Sequence, residues 1–285
     1  DAREGDFHGR RVGVLAAETP RALDRGMRAL AARWEVAGAV DRGIEDRAFD
    51  DPAAAEARGG VGDALAEADV VVEAVYTTPV QTHVSIETHG AVVIARPDGA
   101  TGWISTQGVQ AAADGLARAL DVPRASTEVI AEYVGGGFGS KIAGADSQGV
   151  EAARLARELG RPVWLFLDRE EEHLDSGNRP SSRAFVRIGA TRDGRILGGQ
   201  IRTAGDTGVG RRGGGVDVPS GRYDLGALDR DHRNVPCNAG PPRPMRAPGK
   251  PQGAWAEEML LDELAAACGL DPVELRLRNE RSDAR

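Results

Sequence analysis

The sequence predicts an α+β chain of mixed sheets and helices. Short apolar runs bounded by turn residues recur at 69–77, 91–95, 102–105, 182–190 and 195–204, each the length of a strand. Apolar residues at helical spacing occupy 109–120 and 252–268, so helices follow strands and gather late in the chain. Turn and cap residues stand where those runs stop, which makes the punctuation agree with the periodicity.

In chain order, 11–17 reads as a strand. Thr19 then caps a helix with Pro20 at its first position and Leu23, Met27 and Leu30 at helical spacing. The stretch 41–62, rich in Asp, Ala, Arg and Gly, has no apolar periodicity and marks a soft boundary between expected domains at 1–62 and 63–285. Arg96-Pro97-Asp98-Gly99 turns the strand at 91–95 into the one at 102–105. A strand at 126–133 feeds a glycine-rich loop, a helix at 147–159 leaves it with Gly160 as C-cap, and 162–167 is the next strand. Arg192-Asp193-Gly194 closes a hairpin between 182–190 and 195–204. The helix at 252–268 carries Trp255, Met259, Leu261 and Leu264 and ends at Gly269, and Asp271 caps a last helix from Pro272.

With 285 residues and 41% hydrophobic content, the chain can bury the core of one large domain or two ordinary ones. Its net charge of -8 argues against a nucleic-acid surface, which needs clustered excess Lys and Arg. The only lysines, Lys141 and Lys250, fall in the two loops richest in glycine and proline, a pointer that sequence bias alone also explains. Cys237 and Cys268 lie far apart, so neither an iron-sulfur cluster nor a zinc ribbon is expected, and any electrons leave through another polypeptide. No apolar run is long enough to span a bilayer. The start at Asp1 and the charged end Ser282-Asp283-Ala284-Arg285 read as candidate truncation points.

Val134-Gly135-Gly136-Gly137-Phe138-Gly139-Ser140-Lys141 sets four glycines and one ring between a strand and a helix. Glycine has no Cβ to block close approach, so backbone N-H groups there can meet an anion, and a phosphate-bearing cofactor is the expected ligand. The order Gly139-Ser140-Lys141-Ile142 is not a P-loop, and Ser140 breaks the dinucleotide fingerprint. A tight structural turn is the alternative. A second candidate is the stiff, cationic loop with Arg243, Arg246 and Lys250, where Gln252 offers both donor and acceptor; the alternative is a proline-rich surface connection. A third is Gln107 in Ser105-Thr106-Gln107-Gly108, at a strand end, where an N-cap turn is the competing reading. His83, Glu87 and His89 read as structural, and Arg169-Glu170-Glu171-Glu172-His173 as a solvated helix end.

Taken together and in order, these segments resemble the molybdopterin-binding (large) subunit of the xanthine dehydrogenase and aldehyde oxidoreductase family. The matching residues are 105–108, 135–141, Asp168-Arg169-Glu170 with Asn178-Arg179-Pro180, Asn238-Ala239-Gly240, and Met245-Arg246-Ala247-Pro248-Gly249 with Pro251-Gln252. Glu258, Asp262-Glu263-Leu264-Ala265, Asp271-Pro272, Glu274, Arg276 and Asn279 continue the pattern, and Tyr76, Pro79, His83 and Glu87 precede it.

The resemblance implies a fold like the first part of that family's molybdenum-cofactor-binding region, with 1–62 a partial hammerhead-like domain and linker and 63–285 the first molybdopterin-binding domain. It implies a molybdenum-molybdopterin cofactor, in the cytosine dinucleotide form, contacted by Gln107, Gly108, Gly136, Gly137, Phe138, Gly139, Arg246 and Ala247. Gln107 would lie near the apical oxo ligand, Phe138 and Gly139 beside the metal's reactive face, and Arg246 on the cofactor; these are neighbours of molybdenum and not its ligands. The family mechanism, attack by a metal-bound hydroxide on an electron-poor carbon with a glutamate base, implies hydroxylation of an aldehyde or N-heterocycle with water-derived oxygen. That glutamate is expected beyond Arg285, so no catalytic residue is assigned in this chain. Ile142 stands where purine-oxidising members carry an acid, which favours an aldehyde or apolar heterocycle. Expected partners are an iron-sulfur subunit, an FAD subunit, and the remaining half of the cofactor-binding region. The cytoplasm is the expected compartment, with the periplasm as the alternative. Two rival readings stand: a non-catalytic homologue serving as scaffold or partner-interaction subunit, and a nucleotide site of an unrelated transferase.

Overall fold

A computed structural model describes residues 7–281 except 32, 34, 36, 37, 39, 46–59, 211, 212, 219 and 220. In chain order the elements are α1 (Pro20–Ala29), a 3-10 turn (Gly43–Glu45), α2 (Val61–Glu67), β1 (Val70–Thr78), β2 (Gln81–Thr82), β3 (Gly90–Arg96) and β4 (Gly99–Ile104). Then come α3 (Val109–Leu120), a 3-10 turn (Arg124–Ser126), β5 (Thr127–Ile130), α4 (Asp146–Leu159), β6 (Val163–Phe166), α5 (Arg169–Asp175) and β7 (Asn178–Arg179). The chain continues through β8 (Ser182–Ala190), β9 (Ile196–Asp206), β10 (Ala227–Val235), α6 (Lys250–Cys268) and α7 (Pro272–Arg278). It divides into two compact units whose segments alternate along the sequence. One holds Asp1–Val40, Thr82–Asn178 and Arg243–Arg246; the other holds Asp41–Gln81, Arg179–Pro242 and Ala247–Arg285.

In the first unit, four strands run in the order β5-β4-β3-β6. The Pro97-Asp98 turn makes β3 and β4 an antiparallel hairpin, β6 adds antiparallel to β3, and β5 adds parallel to β4. One sheet face, with Ala91, Val93, Ala100, Ile104 and Val129, packs with Ala112, Ala113 and Leu116 of α3 and Ala152 and Ala153 of α4. The many alanines let the two helices lie close to the sheet, so this small core is dense without large side chains. Side-chain alternation puts Ile130, Trp103, Val92 and Trp164 in one row across the opposite face, with Trp164 stacked on Phe166 at 5.1 Å. The strand expected at 11–17 is absent: Val14 and Leu15 are exposed and the segment runs irregularly into α1. The strand expected at 126–133 ends at Ile130, before the glycine loop.

In the second unit the order is β1-β8-β9-β10, antiparallel except for the parallel β9–β10 pair. Ala256, Leu260, Leu261, Leu264 and Ala265 of α6 cover the sheet through Tyr76, Val186, Ile188 and Ile201. Burying each of those leucines stabilises the unit by about 1.5–3 kcal/mol. β10 is an edge strand whose 230–234 stretch is exposed and charged, a composition that discourages pairing with another chain. No helix among the described residues is long and apolar enough to cross a membrane.

Candidate functional site

Gln107 is placed by the exit of β4 from its sheet. Ser105 N donates to Gly90 O at 3.0 Å, holding the chain to β3 for one residue past the strand. Thr106, 2% exposed, donates to Gly144 O at 2.9 Å and accepts from Gly108 N at 3.0 Å, so its hydroxyl ties the turn to the loop beyond the glycines. Gly108 is the N-cap of α3, and Gln107 stands exposed between strand and helix.

The Gln107 carboxamide grips the glycine loop. Its Oε1 accepts from Gly139 N at 2.9 Å and from Lys141 N at 3.3 Å. Two N-H donors require an oxygen on that side, which fixes the amide's orientation and turns Nε2 away from the loop backbone. Nε2 keeps two donor hydrogens without a partner among the described residues. A Cβ on Gly137 would come 2.5 Å from Gln107 Oε1, so glycine there is a condition of the contact.

The loop is held from several sides within its own unit. Gly135 N donates to Glu87 Oε2 at 2.6 Å while Glu87 N donates to Gly135 O at 3.1 Å. Phe138 adopts φ +52, an uncommon conformation for a residue with a Cβ, and the residue is 53% exposed. Its carbonyl accepts from Arg246 N at 2.9 Å. Gly139 has φ +113, and a Cβ there would strike the Pro244 carbonyl oxygen. The backbone N-H groups of Gly136, Gly137 and Phe138 have no partner among the described residues. These donors, with the Gln107 amide, can serve acceptor atoms of a ligand.

Beneath the loop lies a polar layer that sequence reading placed elsewhere. Lys141, fully buried, turns inward: its Nζ donates to Glu87 O at 2.7 Å and lies 3.8 Å from Glu87 Oε2. It pins the loop and does not face a ligand. Glu172, expected on a solvated helix end, is 1% exposed. The Asp168/Glu171 capping box starts α5 and points the next residue inward. Its carboxylate accepts from His89 N at 2.7 Å and from His89 Nδ1 at 2.9 Å. Burial would raise the Glu172 pKa, but these hydrogen bonds and the Lys141 charge override it and hold the carboxyl below its ordinary value. His89 Nε2 lies 3.4 Å from Ser140 O, which also accepts from Arg243 Nη1 at 2.9 Å. His83 Nε2 lies 2.7 Å from Pro244 O, and burial pushes that ring's pKa down. His83, Glu87 and His89 are thus engaged in structural hydrogen bonds.

Of the residues expected at the site, Gln107, Gly108, Gly136, Gly137, Phe138, Gly139 and Arg246 lie in the first unit, and Ala247 in the second. Ala247 has φ +58, and its carbonyl accepts from Lys250 N at 3.1 Å and Arg179 Nη1 at 3.5 Å. Lys250 pairs with Asp217 at 2.6 Å. Gln252, read as an anion contact, is 3% exposed; Oε1 accepts from Arg179 Nη1 at 3.3 Å and Nε2 donates to Pro180 O at 3.4 Å. Both its ends are consumed internally, which corrects that expectation. Ile142 is 53% exposed next to Lys141.

Residues 46–280 match the molybdopterin cofactor-binding domain family. The chain is 32% identical over 264 residues to the aldehyde oxidoreductase molybdenum-binding subunit of Escherichia coli, covering 85% of this chain and 34% of that protein. It is 30% identical over 232 residues to a probable xanthine dehydrogenase subunit of Bacillus subtilis, covering 78% and 31%. Among solved structures, quinoline 2-oxidoreductase of Pseudomonas putida matches with a TM-score of 0.77 at 25% identity, over 93% of this chain and 36% of that one. Aldehyde oxidoreductase of Desulfovibrio gigas matches with a TM-score of 0.67 at 26% identity, over 80% and 26%. The chain spans about a third of the length of the first two of these relatives.

Proposed function

The chain belongs to the molybdopterin cofactor-binding domain family, and from that membership we propose that 105–108 and 135–141, with Arg246, form part of a molybdenum-molybdopterin cradle in a molybdenum hydroxylase. The observation that carries the reading is the Gln107 carboxamide, locked through Oε1 with both Nε2 hydrogens left for a ligand. The residues fit such a group. Gly136, Gly137 and Phe138 offer three further N-H donors, and an added Cβ at Gly137 would dislodge Gln107.

When bound, the cofactor supplies the redox chemistry for oxygenating an electron-poor carbon. This chain's residues bind and orient it. Gln107 Nε2 would donate to an acceptor atom of the bound group, the glycine-loop amides would hold further acceptor atoms nearby, and the Arg246 guanidinium would balance the group's anionic charge. The exposed side chains of Phe138 and Ile142 give the substrate an apolar wall, which favours an aldehyde or apolar N-heterocycle over a purine. An iron-sulfur subunit and an FAD subunit carry the electrons away, and a cytosine dinucleotide form of the cofactor and the family's glutamate base complete the reading.

Co-expression with the remaining half of the cofactor-binding region and candidate electron-transfer subunits, followed by turnover of benzaldehyde, quinoline and xanthine in oxygen-18 water, tests it. Label in benzoate or 2-quinolone, with xanthine the poorest substrate, is the expected outcome. A cofactor-loaded complex that oxidises none of them would assign the chain a scaffolding or interaction role.

A further inference from the structure

Glu172 has a place in the polar layer that binding alone does not explain. It sits on α5, 83 residues from His89 in sequence, yet both its oxygens are spent on that one residue. The backbone contact His89 N to Glu172 Oε2 and the ring contact through Nδ1 fix the imidazole's position and its plane together. The other ring nitrogen then lies 3.4 Å from the Ser140 carbonyl oxygen, which accepts from Arg243 Nη1 at 2.9 Å.

That carbonyl belongs to the same peptide group as Lys141 N-H, and the N-H donates to Gln107 Oε1 at 3.3 Å. A trans peptide is planar, with its C=O and N-H pointing in opposite directions. Any tilt of the Ser140 carbonyl is therefore a tilt of the Lys141 N-H, and the grip on one side sets the aim of the other. The Arg243 donor on the carbonyl also polarises the peptide and strengthens its N-H as a donor. Gly139 N, the second donor to Gln107, lies two residues before Lys141 N and shares the constraint through the Ser140 backbone. Lys141 Nζ on Glu87 O prevents the peptide from sliding along the loop.

We propose that Glu172 is a positioning residue for Gln107, acting through His89 and the Ser140–Lys141 peptide to fix the direction in which the Gln107 amide donates. This deepens the cofactor reading and rests on it only for its consequence in binding; the mechanical coupling stands on this unit's own geometry. Glu172 touches no ligand. Its charge matters because a neutral amide at that position accepts through one atom only and presents donors to His89 through the other.

The test compares wild type, Glu172→Gln and His89→Gln as the full chain. Three readouts are taken: the Gln107 side-chain amide cross-peaks in a nitrogen-proton correlation spectrum, thermal midpoint, and affinity for molybdenum-pterin cofactor released from a loaded aldehyde oxidoreductase. Peaks are assigned by their loss in Gln107→Ala. Glu172→Gln is expected to move or broaden the Gln107 peaks and to weaken cofactor binding on the order of tenfold. His89→Gln is expected to move the same peaks, and it decides the matter should Glu172→Gln fail to fold. Gln107 peaks unmoved in a folded variant, with only the thermal midpoint lowered, would overturn the proposal and leave Glu172 as a stability contact. If wild type binds no cofactor, the cradle reading fails while the Gln107 peaks still decide the coupling.

Discussion

Gln107 Oε1 and Gly139 N, 2.9 Å apart, join a strand exit to a glycine loop 32 residues further along the chain. The contact consumes the amide's acceptor and leaves its donors, so one hydrogen bond both closes the loop and sets the polarity of what the site can bind. A ligand there must present acceptors, as an oxo group or an anionic pterin does.

Gly137→Ala tests the space that this contact needs. The new Cβ would stand 2.5 Å from Gln107 Oε1, inside van der Waals contact, so the carboxamide must swing away. Pterin bound per chain is expected to fall about tenfold or more, while the circular dichroism spectrum stays that of wild type.

Gly139→Ala acts on the backbone. The residue has φ +113 and no room beside the Pro244 carbonyl, so alanine meets both strain and a clash. Urea unfolding of the first unit is expected to show a loss of about 1–3 kcal/mol. Gly13→Ala, at a position with open space and no positive φ, is the control and should change stability by less than about 0.5 kcal/mol.

Much of this framework was legible because its signals are local. Thr19 caps α1 ahead of Pro20, Gly160 and Gly269 close α4 and α6 in the left-handed conformation, and Asp271 caps α7, all as the residues announced. The bounds of α3, Val109–Leu120, follow directly from its periodicity. What escaped depends on distant partners. The run at 11–17 has a strand's composition but no strand-like pairing, while β10 is a strand of exposed charges held by its parallel ladder to β9. Glu172 reads as solvent-facing until His89 is brought beneath it. At the site itself, Gln107 and the glycines were visible as a motif, whereas the inward turn of Lys141 and the internal use of Gln252 were not, because both depend on packing.

Glu172 also sets an expected pH dependence. Its folded pKa is depressed, so the protein binds fewer protons there than the unfolded chain and the group's stabilising contribution is present above the unfolded carboxyl value. That contribution is lost as pH falls from the ordinary carboxylate range, about 4.3, through the lower folded value. Thermal midpoints from pH 7 down to 3 should therefore drop more steeply for wild type than for Glu172→Gln, and parallel curves would contradict the assignment.

Metal and pterin content of the purified chain is the most direct measurement, made by elemental mass spectrometry with fluorescence of the oxidised pterin, on wild type and Gly137→Ala expressed alone and with candidate partner subunits. Molybdenum and pterin in equal amounts on wild type, and both depleted in the variant, is the expected result. A folded wild-type chain carrying neither under both conditions, or carrying them equally with Gly137→Ala, would mean that the Gln107 carboxamide and the glycine loop do not hold the cofactor.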